Sequence, residues 1–133
     1  MIFVDSNIPT YLVGAEHPNK AVAVHLLERA AIEGEVLVTD AEVLQEVLHR
    51  YTAIGRRAAI ASAFEAVLDV VDDVLVIDRQ IMERARLLVE SDLAPSARDA
   101  VHVAVMRAHE ISRVMSFDLG LDRFEGIERL PTG

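Results

Sequence analysis

Residues 2–7 read Ile-Phe-Val-Asp-Ser-Asn, and the first four of them decide the fold class. Ile2, Phe3 and Val4 make an unbroken apolar run of β-branched and aromatic residues, the pattern of a strand covered on both faces. Asp5 closes it. The pattern recurs in EVLVTD (35–40), VLVID (74–78) and RVMSFD (113–118), so four apolar strands run into Asp5, Asp40, Asp78 and Asp118. Helical patterns separate them. Strands alternating with helices predict an α/β fold, a parallel sheet of four to five strands between two helical layers. Parallel strands share a direction, so these carboxylates are expected along one edge. In open α/β folds that edge, at the C-terminal ends of the strands, is where ligands bind.

The helices have recognisable ends. Ser6 is expected to cap a short helix over 7–13 with Pro9 in its first turn, and a second helix over 18–33 stops at Gly34. Thr39 and Glu42 form a T-x-x-E capping box for a helix over 40–53, with Leu44, Val47, Leu48 and Tyr51 as its core stripe. Residues 56–73 read as a fourth helix. Asp78 caps a helix to about residue 90, and Ser96 caps another from 97 to about 109. GIERL (126–130) reads as a short fifth strand. Neither a repeat nor an interdomain linker interrupts the 133 residues, so one domain over 1–133 is expected.

Composition narrows the function. The chain is 52% hydrophobic but only 5% aromatic, so Val, Leu, Ile and Ala must build the core. With no cysteine, disulfides and thiolate metal sites are excluded, as suits a reducing compartment. Asp5 breaks the first apolar run and no basic segment precedes it, so no secretory signal is expected. No apolar run approaches the roughly 20 residues needed to cross a bilayer. A soluble cytoplasmic protein is expected. The formal charge of −9 argues against nucleic-acid binding through a broad positive surface. A nuclease remains open, because carboxylates converging on divalent cations reverse the local field. Of the basic residues all but Lys20 are arginine, the side chain suited to bidentate contact with phosphate.

Several acids can gather at the sheet edge. Asp40 and Asp78 are explained by helix capping. Asp5 and Asp118 can cap or ligate, and Ser6 can relieve Asp5 of capping. Glu46 lies beside the core stripe of its helix, from where a long carboxylate can bend across the top of the sheet. Asp99 stands three residues after Ser96, where it either completes a capping box or joins the pocket. Asp5, Glu46, Asp99 and Asp118 would repel one another if left unneutralised. Oxygen ligands without cysteine or paired histidines favour Mg²⁺ or Mn²⁺ over Zn²⁺. Asp122 is a candidate fifth ligand or supporting group. Ser6, Asn7 and Ser116 are candidates to orient ligand or water. His102 and His109, without a third nitrogen ligand, are assigned to packing or solvent.

FVDSN (3–7), EVLQEVLHRY (42–51), ARDAVHVAVM (97–106) and SFDLGLDRF (116–124) together resemble the PIN-domain family, and within it the VapC-type ribonuclease toxins. The resemblance covers the chain in order. It implies a PIN-like α/β/α sandwich, a metal-dependent endoribonuclease, a VapB-type antitoxin as partner and a homodimer. By matching position it implies catalytic acids at Asp5, Glu46, Asp99 and Asp118, with Mg²⁺ or Mn²⁺ on Asp5, Asp99 and Asp118. Leu119 and Leu121 stand where the family often has a charged residue and Phe before the second Asp. Arg50, Arg56 and Arg57, around Gly55, are candidates for RNA phosphates, and a solvated helix end explains them as well.

Other classes fit less well. A phosphoacceptor receiver wants adjacent acids after its first strand and a lysine near the phosphate, whereas Asp5 stands alone and Lys20 lies on the wrong segment. A haloacid-dehalogenase-like phosphatase needs an acid at Asn7. Dinucleotide binding lacks its glycine-rich turn. The rival from outside enzymology is a catalytically silent PIN-like interaction module, against which the full set of acids argues.

Overall fold

The computed structural model describes residues 1–91 and 94–131. Five parallel strands, β1 (Ile2–Val4), β2 (Leu37–Asp40), β3 (Asp73–Leu75), β4 (Arg113–Met115) and β5 (Glu128–Leu130), lie in the order β3-β2-β1-β4-β5. Six helices accompany them: α1 (Asn7–Val13), α2 (Pro18–Ile32), α3 (Ala41–Ala53), α4 (Ile60–Val70), α5 (Arg79–Glu90) and α6 (Ala97–Ala108).

The two-layer burial follows from strand alternation. Ile2 and Val4 point to one face and pack with Ile8, Ala23, Ala30 and Met115. Phe3, between them, points to the other and packs with Val43 and Val47 of α3, Ile81 and Ala85 of α5, and α6. Successive side chains point to opposite faces, so a strand buried on both must be apolar at every position. In α6 every residue from Asp99 to Met106 is buried. That helix is apolar nearly all round because it is packed on several sides.

The chain adds β2 and β3 on one side of β1 and then returns to lay β4 on the other. The strand order therefore reverses between β1 and β4, at the ends where Asp5 and Asp118 stand. Crevices outside such a switch point are where open α/β sheets bind ligands.

Local expectations fared unevenly. Asp78 accepts from the Ile81 amide at 3.0 Å and Ser96 Oγ from the Asp99 amide at 3.1 Å, both as caps. Ser6 makes no cap; it lies in the helical region and its hydroxyl turns to Glu46. The capping box at α3 also fails. Thr39 Oγ1 donates instead to the Val4 carbonyl, and Asp40 is the cap, accepting from the Val43 amide at 3.1 Å. The core line of α3 is Val43 and Val47, with Leu44 and Tyr51 partly covered and Leu48 exposed.

The segment 56–73 is not one helix. A 3-10 turn (Arg57–Ala59) precedes α4, which ends at Val70, and β3 begins already at Asp73. Asp72 exchanges bonds with β2, its amide donating to the Leu37 carbonyl at 2.7 Å and its carboxylate accepting from the Leu37 amide at 2.9 Å. Asp72 and Asp73 thus belong to the entry of β3 rather than to the helix. β3 stops at Leu75, so Asp78 stands three residues past the strand.

Candidate active site

Asp5 follows β1 directly and is 5% exposed. Three donors meet it. The Ser6 amide reaches Oδ1 at 2.7 Å, and the Ser116 hydroxyl and Asn7 Nδ2 reach Oδ2 at 2.6 and 3.5 Å. Burial pushes its carboxyl above the ordinary range, a push only partly offset by His102 and Ser116. Ser116, fully buried past β4, also accepts from the Asp118 amide at 3.0 Å and from Asn7 Nδ2 at 3.2 Å. Asn7 Oδ1 in turn accepts from the Phe117 amide at 3.3 Å. Ser116 and Asn7 thereby tie the end of β1 to the end of β4.

Asp99, in the first turn of α6, is 3% exposed and faces Asp118. Burial, then the charge and hydrogen bond of Asp118, push the Asp99 carboxyl up to about 6. Asp118 caps the following 3-10 turn, its Oδ1 accepting from the Gly120 amide at 2.9 Å. Gly120 is wedged among these groups. A Cβ there would sit 2.8 Å from Pro95 Cγ, 3.1 Å from Asp118 Oδ1 and 3.3 Å from Asp99 Oδ2. Only a residue without a side chain leaves the two carboxylates undisturbed.

Glu46 reaches in from α3. Its Oε2 accepts from the Ser6 hydroxyl at 2.5 Å, and its Oε1 lies 2.7 Å from His102 Nε2. Burial raises the Glu46 carboxyl, but His102, Ser6 and Arg98 outweigh it and hold it below the usual range. His102 is 2% exposed, and its Nδ1 lies 2.8 Å from Oδ2 of the fully buried Asp40. Burial alone would lower the imidazole; the bonds from Asp40 and Glu46 raise it well above its ordinary value. Asp40 therefore does two jobs, Oδ1 capping α3 and Oδ2 holding His102.

The four acids foreseen in sequence thus form a chain at a single edge, Glu46 acting on Asp5, and Asp5 and Asp118 acting on Asp99. Asp122 does not join them: its carboxylate pairs with Arg129 Nε and Nη2 at 3.0 and 3.3 Å. Through Arg129, whose Nη1 donates to the Ser116 carbonyl at 3.2 Å, it buttresses the strand end instead. Arg50 lines a cavity of about 320 Å³ that opens beside Glu46 and Ser6. Arg56 and Arg57 are exposed beyond the end of α3 and do not line it. Arg98 does, and its guanidinium lies 3.7 Å from Glu46.

Sequence reasoning missed Arg98, Gly120, His102 and the second role of Asp40. One signal could have found His102: a lone polar residue inside AVHVAVM (100–106) on a buried helix must have partners.

The donors suit a small hard cation. Carboxylate oxygens dominate, and Asp99 and Asp118 crowd each other in a way that a divalent ion relieves. Ligand atoms of Asp5, Glu46 and His102 also lie within 4.8 Å of one another. Both ring nitrogens of His102, however, are engaged with carboxylates, which leaves no ring lone pair for an ion.

The chain has relatives among known proteins. The PIN domain family model matches residues 2–127. Ribonuclease VapC13 of Mycobacterium tuberculosis is 59% identical over 130 residues, 98% of this chain and 99% of that protein. Among solved structures, M. tuberculosis VapC20, a sarcin-ricin loop cleaving toxin, superposes with a TM-score of 0.72 at 26% identity, covering 92% of this chain and 93% of that one. VapBC2 from Rickettsia felis, bound to a DNA fragment from its promoter, shares the fold with a TM-score of 0.73 at 14% identity, over 97% of each chain.

Proposed function

The chain belongs to the PIN-domain family, among its VapC-type ribonucleases, and from that premise we propose that it is a toxin endoribonuclease using Mg²⁺ or Mn²⁺ held by Asp5, Asp99 and Asp118. The observation that carries the metal is the Asp99–Asp118 pair, two crowded carboxylates at the switch point, with the Asp99 carboxyl pushed up to about 6. When bound, the ion supplies a nucleophile at neutral pH and neutralises charge on the phosphate.

The chain's own residues supply the rest. Ser6 and Ser116 hold the Asp5 carboxylate with both oxygens in fixed directions. Glu46, kept ionised by His102 and Ser6, presents an acceptor to the attacking water. Arg98 and Arg50, beside the cavity at Glu46, can pair with phosphate oxygens of the RNA strand. That local positive charge offsets an overall charge of −9. No described helix is long and apolar enough to cross a membrane.

Purified protein incubated with structured RNA should cleave it with Mg²⁺ or Mn²⁺ and leave it intact in EDTA. Intact RNA under both conditions would favour the silent interaction module.

A nuclease of this kind needs restraint, and the proposed partner is a VapB-type antitoxin. An antitoxin arginine is suited to the acidic pocket, because its planar fork pairs with two carboxylate oxygens where the ion would sit. Co-expression with the adjacent gene product should give a complex on pull-down that cleaves poorly and is partly relieved by excess Mg²⁺. A complex as active as the free chain would exclude this mode of inhibition.

A further inference from the structure

The metal and phosphate contacts proposed above leave unused the buried His102 imidazole between Asp40 and Glu46. We propose that His102 is a positioning residue that fixes the Glu46 carboxylate, with Asp40 as its anchor; the inference rests on Glu46 acting in the nuclease site. Glu46 is a flexible side chain, and holding it over the sheet edge requires the loss of its rotamer freedom. Two bonds do this. The Ser6 hydroxyl takes Oε2 at 2.5 Å and His102 Nε2 lies 2.7 Å from Oε1, so the plane of the carboxylate is set from both ends.

Asp40 makes the arrangement a closed loop. Its Oδ1 caps α3, the helix that carries Glu46, while its Oδ2 orients the ring that meets the end of the Glu46 side chain. One fully buried carboxylate thus sets both where the helix begins and where its catalytic side chain ends. The ring has no room to turn away, since it is 2% exposed and packs with its centroid 5.2 Å from that of Phe3. Arrangements in which one group orients another that does the chemistry are common around metal centres, and breaking them costs about 10- to 100-fold in metal affinity or activity.

Two amide substitutions separate the two bonds. In His102→Asn the amide falls near the position of Nδ1, keeping Asp40 partnered but ending short of Glu46. His102→Gln reaches further and can donate to Glu46. Kinetics on RNA with Mn²⁺ are measured for both variants, and for His102→Asn combined with Glu46→Gln; crystal structures of both single variants show where Glu46 lies. The expected result is a kcat lower by about 10- to 100-fold in His102→Asn, with KM little changed. His102→Gln should recover most of that loss. On the Glu46→Gln background His102→Asn should add nothing, because it acts through the residue already removed. In the crystal of His102→Asn the Glu46 carboxylate should have left the Ser6 hydroxyl. An equal loss on both backgrounds, a His102→Gln as impaired as His102→Asn, or an unmoved Glu46 would overturn the proposal. A parent protein that never cleaves RNA refutes the nuclease assignment instead, and the crystal structures then decide the placement of Glu46 alone.

Discussion

Asp99→Asn is expected to abolish metal-dependent RNA cleavage, by more than ~100-fold, while making the metal-free protein more stable at neutral pH. The two effects share a cause. Burial, and then the neighbouring Asp118, hold the Asp99 carboxyl at about 6. A raised carboxyl means that the folded state binds the proton more tightly than the unfolded chain does. The favourable contribution is therefore complete below about pH 4, and it is lost as pH rises through about 6. At pH 7 the ionised Asp99 destabilises the empty site by about 1 to 2 kcal/mol, after allowance for solvent screening at the open edge. Asparagine removes the charge with little change of volume and can donate to Asp118. The α6 cap survives, since it is made by the backbone amide of residue 99. Thermal melts without metal should show the variant several degrees above the parent at pH 7 and level with it at pH 4. A variant that melts lower than the parent at pH 7 would mean that the Asp99–Asp118 contact stabilises the fold and is no strained ion site.

Saturating Mn²⁺ should raise the melting temperature of the parent by about 10 °C at 100 times its Kd, because the ion binds the folded state alone. Asp5→Asn should lose most of that increment. Its fold should persist, since the amide oxygen can keep the bond from the Ser116 hydroxyl at the loss of the one from the Ser6 amide. The increment should also shrink from pH 7 to pH 5, where Asp99 holds its proton in competition with the ion. Asp78→Ala is the control. Asp78 is an exposed cap distant from the acids, so its loss should cost about 1 kcal/mol and leave the increment whole. If Asp5→Asn responds to Mn²⁺ like the parent, Asp5 is no ligand and the ion sits elsewhere.

Sequence by itself determined the parts of this protein that depend on neighbours along the chain. Apolar runs ending in aspartate gave the parallel strands, and Asp78 and Ser96 announced α5 and α6, because a cap bonds an amide only three residues away. The gathering of Asp5, Glu46, Asp99 and Asp118 at one edge was legible too, since parallel strands and the helices that follow them bring their ends to the same side. Where two local bonds competed, sequence misjudged the winner. Thr39 and Ser6 look like caps, yet their hydroxyls answer to Val4 and Glu46, and of the two caps expected for α3 only Asp40 serves. Those outcomes depend on which strand lies alongside. The pairing of His102 with Asp40 and Glu46 spans 62 and 56 residues. It exists only because the sheet order sets α6 beside α3, with residue 102 facing β1. A hydrogen bond is decided by distance through space, and no periodicity along α6 or α3 encodes how far their facing side chains stand apart. The tertiary structure alone turned a histidine that reads as packing into the group that holds Glu46.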